Sequence, residues 1–170
     1  MAESAIRSVF ITGLKNAHAL EKQALGIMGP QIKRLEQYPE MADMLRQHSA
    51  ETEEQIKRLD AILMEQGENA SGFKDAVLST VGGMASIGHA AAGDEVLKNT
   101  YANHAFENFE IASYRSLIVM AETGGFNSAI PMLQQTLQEE EAMAARVAES
   151  IPMVTRRYLE LKQSGAQASH

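Results

Sequence analysis

Apolar residues recur every three or four positions along four long stretches of this chain, and only proline and glycine clusters interrupt them. That period belongs to helices that bury one face, and stretches this long leave little chain for strands. Composition points the same way. Tryptophan is absent, aromatics make up 5% of the residues, and there are ten methionines, a balance that favours helix over sheet. A chain of 170 residues is large enough for one well-buried core and hardly for two. The sequence therefore reads as an all-α, single-domain protein.

The first helical stretch is expected from about Glu3 to Gln37, through Phe10, Leu14, Ala17, Leu25, Met28, Ile32 and Leu35. Gly29-Pro30 should kink it rather than break it, because the apolar pattern resumes in phase. Tyr38-Pro39 ends it, and Pro39 suits the first turn of a second helix that should reach about Gln66. Between Gly67 and Gly93 the reading is a long crossover, with a short helix over Phe73–Val81 and then a glycine-rich run. Asp94 is a good N-cap for a third helix reaching about Thr123. Gly124-Gly125 makes a tight turn, and a fourth helix follows from about Asn127 to Ser150. Pro152 should kink it or start a short C-terminal helix to about Lys162, and residues 164–170 read as a frayed tail beyond a 1–163 domain. Short turn, long crossover, short turn is the connectivity of a ferritin-like four-helix bundle.

Glutamates interrupt the apolar rows. Glu21 lies in the row Leu14, Ala17, Leu25, Met28, and His48 and Glu51 lie in the row Met41, Met44, Gln55, Leu59, Ile62. Glu107 and Glu110 share a row with Tyr114 and Leu117, while Glu140 falls between Leu137 and Ala144. Heights along the bundle agree as well. Glu110 precedes the end of its helix by about as many residues as Glu140 follows the start of the next, and antiparallel packing at roughly 1.5 Å per residue brings them level. Carboxylates turned into one apolar core must share protons, pair with Arg or Lys, or bind cations. Oxygen-rich ligation with an imidazole suits iron or manganese, and two metals are the natural count for four to six such ligands. Zinc fits less well without thiolates.

Three histidines precede a glutamate by three positions, His18–Glu21, His48–Glu51 and His104–Glu107, so each pair lies one helical turn apart. Of these only His48 keeps a claim to a metal; His18 and His104 read as packing residues or neighbours of the ligands. His89 in the crossover and His170 in the tail are set aside. Glu53, Glu54, Glu139 and Glu141 read as a solvated face, although Glu54 has ligand spacing from Glu51. Tyr114 reads as a core tyrosine with a satisfied hydroxyl.

The net charge of −7 argues against a nucleic-acid partner. The absence of cysteine removes disulfides, iron–sulfur clusters and thiol nucleophiles. No apolar run approaches a membrane span, and the first residues lack the layout of a signal peptide, so a cytoplasmic protein is expected.

Phe109-Glu-Ile-Ala-Ser-Tyr114, preceded by Glu107, resembles the YciE/YciF family of bacterial stress-associated proteins. So do Ala19-Leu-Glu-Lys-Gln23, Glu51-Thr-Glu-Glu-Gln-Ile-Lys-Arg-Leu59 and Thr136-Leu-Gln-Glu-Glu140. The resemblance spans all four helices and implies a ferritin-like fold, a homodimer and a di-metal site. The family's inward acidic pattern falls on Glu21, His48, Glu51, Glu107, Glu110 and Glu140. The leading expectation is that Glu51, Glu107 and Glu140 bridge iron or manganese, that Glu21 and Glu110 are terminal carboxylates and His48 a nitrogen ligand or a neighbour of the ligands, and that any chemistry is redox chemistry with oxygen or peroxide. The chain departs from the broader ferritin-like pattern, which commonly places Glu-x-x-His on the second and fourth helices. Here Glu51 is followed at that spacing by Glu54, and Glu140 by Met143. The alternative is a structural or interaction bundle that has lost its site.

Overall fold

A computed structural model of the chain describes residues 2–68 and 93–169. Four long helices carry it: α1 (Ala2–Arg34), α2 (Pro39–Glu65), α3 (Glu95–Gly124) and α4 (Ile130–Ser164). α1 continues through Pro30, as the in-phase pattern implies, but ends at Arg34 rather than Gln37. Gly26, which the proline ring faces four residues back, has open space where a Cβ would stand. The crossover between α2 and α3, with the short helix expected over Phe73–Val81 and with His89, lies outside the described residues.

The helices form a square in which α1 packs on α2 and α3, and α4 packs on α3 and α2. Every neighbouring pair is antiparallel. His18 reaches Asp60 across α1 and α2, Gln31 accepts from Asn103 across α1 and α3, and Arg58 reaches Glu139 across α2 and α4.

The expected short C-terminal helix does not exist as a separate element. α4 runs unbroken for 35 residues with Pro152 inside it. Val147, Ile151, Val154, Tyr158 and Leu161 keep one apolar row through the proline, and Val154 and Leu161 are buried in the core. Burying those turns outweighs the one backbone hydrogen bond that a proline removes. The tail is also not frayed through Ser169. The Tyr38 hydroxyl donates to the Ala168 carbonyl at 2.6 Å, and the Val96 amide donates to the Ser169 carbonyl at 2.9 Å. The second bond satisfies one of the amides that the first turn of a helix leaves without an internal partner. Asp94 starts α3 as expected, but its carboxylate pairs with Lys98 at 2.8 Å instead of capping the helix.

Three helices end on the same device. Gly67, Gly125 and Gly165 all have positive φ, at 72°, 72° and 74°. At each, the following amide reaches back to a carbonyl five residues earlier: Glu68 to Leu63, Phe126 to Ala121, and Ala166 to Leu161. At the α3 end this folds Phe126 onto Phe10, with ring centroids 4.7 Å apart and planes 8° from parallel.

No helix among the described residues is long and apolar enough to cross a membrane. Gly125→Ala is expected to lower the unfolding free energy by about 1–2 kcal/mol, the cost of a left-handed backbone for an L residue. Gly124→Ala should lower it too, because its Cβ would fall 2.3 Å from the Phe126 ring. Urea denaturation of both variants checks this.

Candidate metal centre

The core is two apolar clusters rather than one. One contains Leu20, Leu45, Phe106, Met143 and Val147, and the other contains Phe10, Leu14, Leu59, Tyr114, Leu117 and Leu133. Between them lies a buried polar layer to which every helix contributes: Glu21, His48, Thr52, Gln55, Glu107, Glu110 and Glu140. Helical stepping explains the inward aim. On α3 the buried row runs Asn103, Glu107, Glu110, Tyr114, Leu117, and on α4 it runs Leu133, Thr136, Glu140, Met143, Val147.

On α2 the buried row runs Met41, Leu45, His48, Thr52, Gln55, Leu59, Ile62. It passes through Thr52, not Glu51. A residue three positions on lags the row by about 60°, whereas one four positions on leads by about 40°, at roughly 100° per residue. The alternating four-three step therefore turns Glu51 toward the rim, where its side chain is 32% exposed.

His48, Glu107, Glu110 and Glu140 each offer a ligand atom, and these atoms all lie within 4.8 Å of one another. This cluster could hold a metal ion. His48 Nε2 is 3.3 Å from Glu107 Oε2 and 3.8 Å from Glu140 Oε2, and its Nδ1 is 3.4 Å from Glu51 Oε2. Glu21 stands beside the cluster and accepts a hydrogen bond from the Tyr114 hydroxyl at 2.5 Å. Both carboxylate oxygens of Glu110, both of Glu140, and Oε2 of Glu21 have no hydrogen-bond partner among the described residues.

Orphaned carboxylate oxygens in an apolar interior are costly, because each buried ion forfeits several kcal/mol of hydration. Their proton affinities register that cost. Burial, against the Tyr114 hydrogen bond, pushes Glu21 up to about 7. Burial and the neighbouring glutamates push Glu140 up to about 11 and hold Glu110 well above the carboxylate range. Burial opposes the charged form of His48, but Glu107 and then Glu51 outweigh it and raise its affinity for a proton. Protons can neutralise such a layer, and the cluster could hold a cation in their place.

The remaining sequence-derived candidates stand apart from the cluster. His18 Nε2 is 3.1 Å from Asp60. His104 is half-buried on α3 and is not among the converging residues. Glu54 is exposed and pairs with Lys57 at 2.6 Å. His170 lies outside the described residues. Tyr114 has the satisfied hydroxyl expected of it. Glu139 is not a solvated residue: it is half-buried and takes two bonds from the Arg58 guanidinium, at 2.7 and 2.9 Å. Arg58 and Thr52 were not singled out from the sequence. The strict four-three step on α2 would have found Thr52, but the Arg58–Glu139 pair joins residues 81 apart and has no local signal.

In the metal-stripped protein, stability should fall as pH rises from about 5 to 8. An unfolded Glu21 loses its proton near the ordinary glutamate value of 4.5 while the folded one holds it to about 7. Between those values the folded state binds more protons, so the slope is negative. The loss from Glu21 alone is on the order of 3 kcal/mol at about 1.4 kcal/mol per unit. Glu140 extends the same trend to higher pH, and His48, raised in the fold, adds to it in the same direction. Thermal melts across pH check this. Glu110→Gln with Glu140→Gln should flatten the slope.

The family described as Domain of unknown function (DUF892) matches residues 5–160. Protein YciF of Escherichia coli (strain K12) is 29% identical over 148 residues, covering 81% of this chain and 84% of YciF. The crystal structure of a protein from Xanthomonas campestris pv. campestris superposes with a TM-score of 0.76 at 28% identity, covering 93% of this chain and 99% of that one. The crystal structure of the E. coli stress protein YciF gives 0.68 at 23% identity, covering 86% and 94%. The resemblance seen in the helical motifs is thus a family relationship, and the chain belongs to the DUF892 family.

Proposed function

We propose that the protein is a ferritin-like, non-haem metal-binding bundle in which His48, Glu107, Glu110 and Glu140 hold iron or manganese, and that it serves a bacterial stress response. The observation that carries this reading is the convergence of four buried donors within 4.8 Å, with both oxygens of Glu110 lacking a hydrogen-bond partner among the described residues. Three carboxylates and one imidazole favour a metal that accepts oxygen ligands, and iron and manganese meet that requirement better than zinc. A second ion would draw on Glu21. The stress assignment leans on the description of the E. coli relative as a stress protein.

Iron or manganese, when bound, supplies one-electron redox chemistry toward oxygen or peroxide. The chain's own residues prepare the site for it. A proton on His48 Nδ1, facing Glu51 at 3.4 Å, leaves the Nε2 lone pair directed at Glu107 and Glu140. The Tyr114 hydroxyl orients Glu21, and the apolar clusters above and below keep water from the layer. We also read the protein as a homodimer, which the exposed Tyr101, Phe109 and Val119 of α3 support.

Protein purified without chelator should carry close to one or two equivalents of iron or manganese by elemental analysis. Glu107→Gln with Glu140→Gln should lower Mn(II) affinity by more than the roughly 10–100-fold that changes outside the ligand set cost. The competing reading is a structural bundle whose layer is neutralised by protons, and the raised proton affinities of Glu110 and Glu140 are the observation on its side. It requires that folded protein bind neither Fe(II) nor Mn(II) at micromolar levels. Peroxide disproportionation by manganese-loaded protein tests for catalysis of the manganese-catalase type.

A further inference from the structure

The seam between α2 and α4 is the least tightly packed of the four neighbouring pairs. A groove of about 540 Å³ follows it, with Glu51, Arg58 and Glu139 among its walls. The Arg58 guanidinium spans the seam, holding Glu139 at 2.7 and 2.9 Å and donating to the Thr136 hydroxyl at 2.8 Å. Directly below is Gln55, with no exposed surface. Its amide nitrogen donates to Glu139 at 3.1 Å, while its Oε1 has no partner among the described residues. Beside it Glu51 meets His48, whose far nitrogen faces Glu107 and Glu140. One layer of side chains, Gln55 and His48, separates the groove from the buried cluster.

We propose that this groove is the route by which a divalent cation reaches the buried cluster, with Glu51 and Glu139 as capture carboxylates and Arg58 as a displaceable latch on Glu139. The inference rests on the metal-centre reading above and adds to it a path and a gate. Two carboxylates on one rim, 23% and 32% exposed, attract a cation from solvent while remaining partly shielded from salt. A doubly charged ion competes with the singly charged guanidinium for Glu139, and a displaced Arg58 has an open groove to move into. Gln55, released from Glu139, then has an unengaged oxygen to offer the ion on its way to Glu140. When the ion has passed, the Arg58–Glu139 pair closes over the layer again. A gate of this kind alters the rates of binding and release together and leaves the affinity nearly unchanged, because it is not part of the bound state.

Stopped-flow mixing of the metal-stripped full chain with Co(II), followed by its visible absorption and paired with equilibrium titration, tests this. Glu51→Gln with Glu139→Gln should slow association about tenfold, in line with the loss of local electrostatic steering. In Glu139→Gln alone, which leaves the Glu51–His48 contact in place, association and dissociation should change together, with Kd moved by less than about threefold. Arg58→Gln should speed association several-fold, whereas Arg157→Gln, a charge removal beside Gln37 at the far end of α4, should not. An unchanged association rate in the double variant would overturn the route. So would an affinity loss caused by faster release in Glu139→Gln, which would make Glu139 a ligand of the bound ion. Undiminished Co(II) binding by Glu107→Gln with Glu140→Gln would instead overturn the cluster itself, as would wild-type protein that binds no Co(II).

Discussion

Everything in this bundle is arranged around the burial of carboxylates at mid-height. Glu21, Glu107, Glu110 and Glu140 come from three helices, and the fourth supplies His48. One imidazole cannot neutralise four buried carboxylates. The layer is therefore held in place by what surrounds it, not by its own attractions. The apolar clusters on either side supply the folding energy, and the layer consumes part of it. The divided core is the physical consequence: an unbroken apolar stack would be more stable and would have nowhere to put a cation.

Local chemistry at the helix ends supports the same layout. Glycines in the left-handed conformation close α2, α3 and α4 without leaving carbonyls stranded, so each long helix stops at a defined height. The returning C-terminus caps the start of α3 through Ser169 and covers the Tyr38 end of the core. Fixed heights matter because the layer works only when all four helices present their polar residues at one level. A slip of one turn, about 5.4 Å, would separate the donors beyond the reach of a single ion.

Around the layer, polar residues are divided by task. Tyr114 closes the Glu21 side with a hydroxyl that is satisfied by the carboxylate itself. On the opposite side Arg58 and Glu139 close the α2–α4 seam with a pair that remains partly hydrated. Both partners keep some contact with solvent, 14% and 23% exposed, which the gate proposed for this seam requires. The bundle is thus sealed on one flank by a buried hydroxyl and on the other by a salt bridge.

By itself the sequence determined the four helices, their inward faces and the level at which their glutamates meet. Periodicity and residue counts are local properties, and they survive whatever partner a helix meets. They also singled out Glu21, His48, Glu51, Glu107, Glu110 and Glu140 as polar interruptions of apolar rows, and of these His48, Glu107, Glu110 and Glu140 converge. The inward place of Thr52 beside His48, with Glu51 at the rim roughly 100° away, follows from the strict four-three step on α2. The tertiary structure alone decided the rest. It decided that α4 continues through Pro152, since the packing of Val154 and Leu161 outweighs a lost hydrogen bond. It joined Arg58 to Glu139 and Tyr38 to Ala168, contacts between residues 81 and 130 apart. Contacts of that kind depend on which helices become neighbours, and helical periodicity carries no information about that.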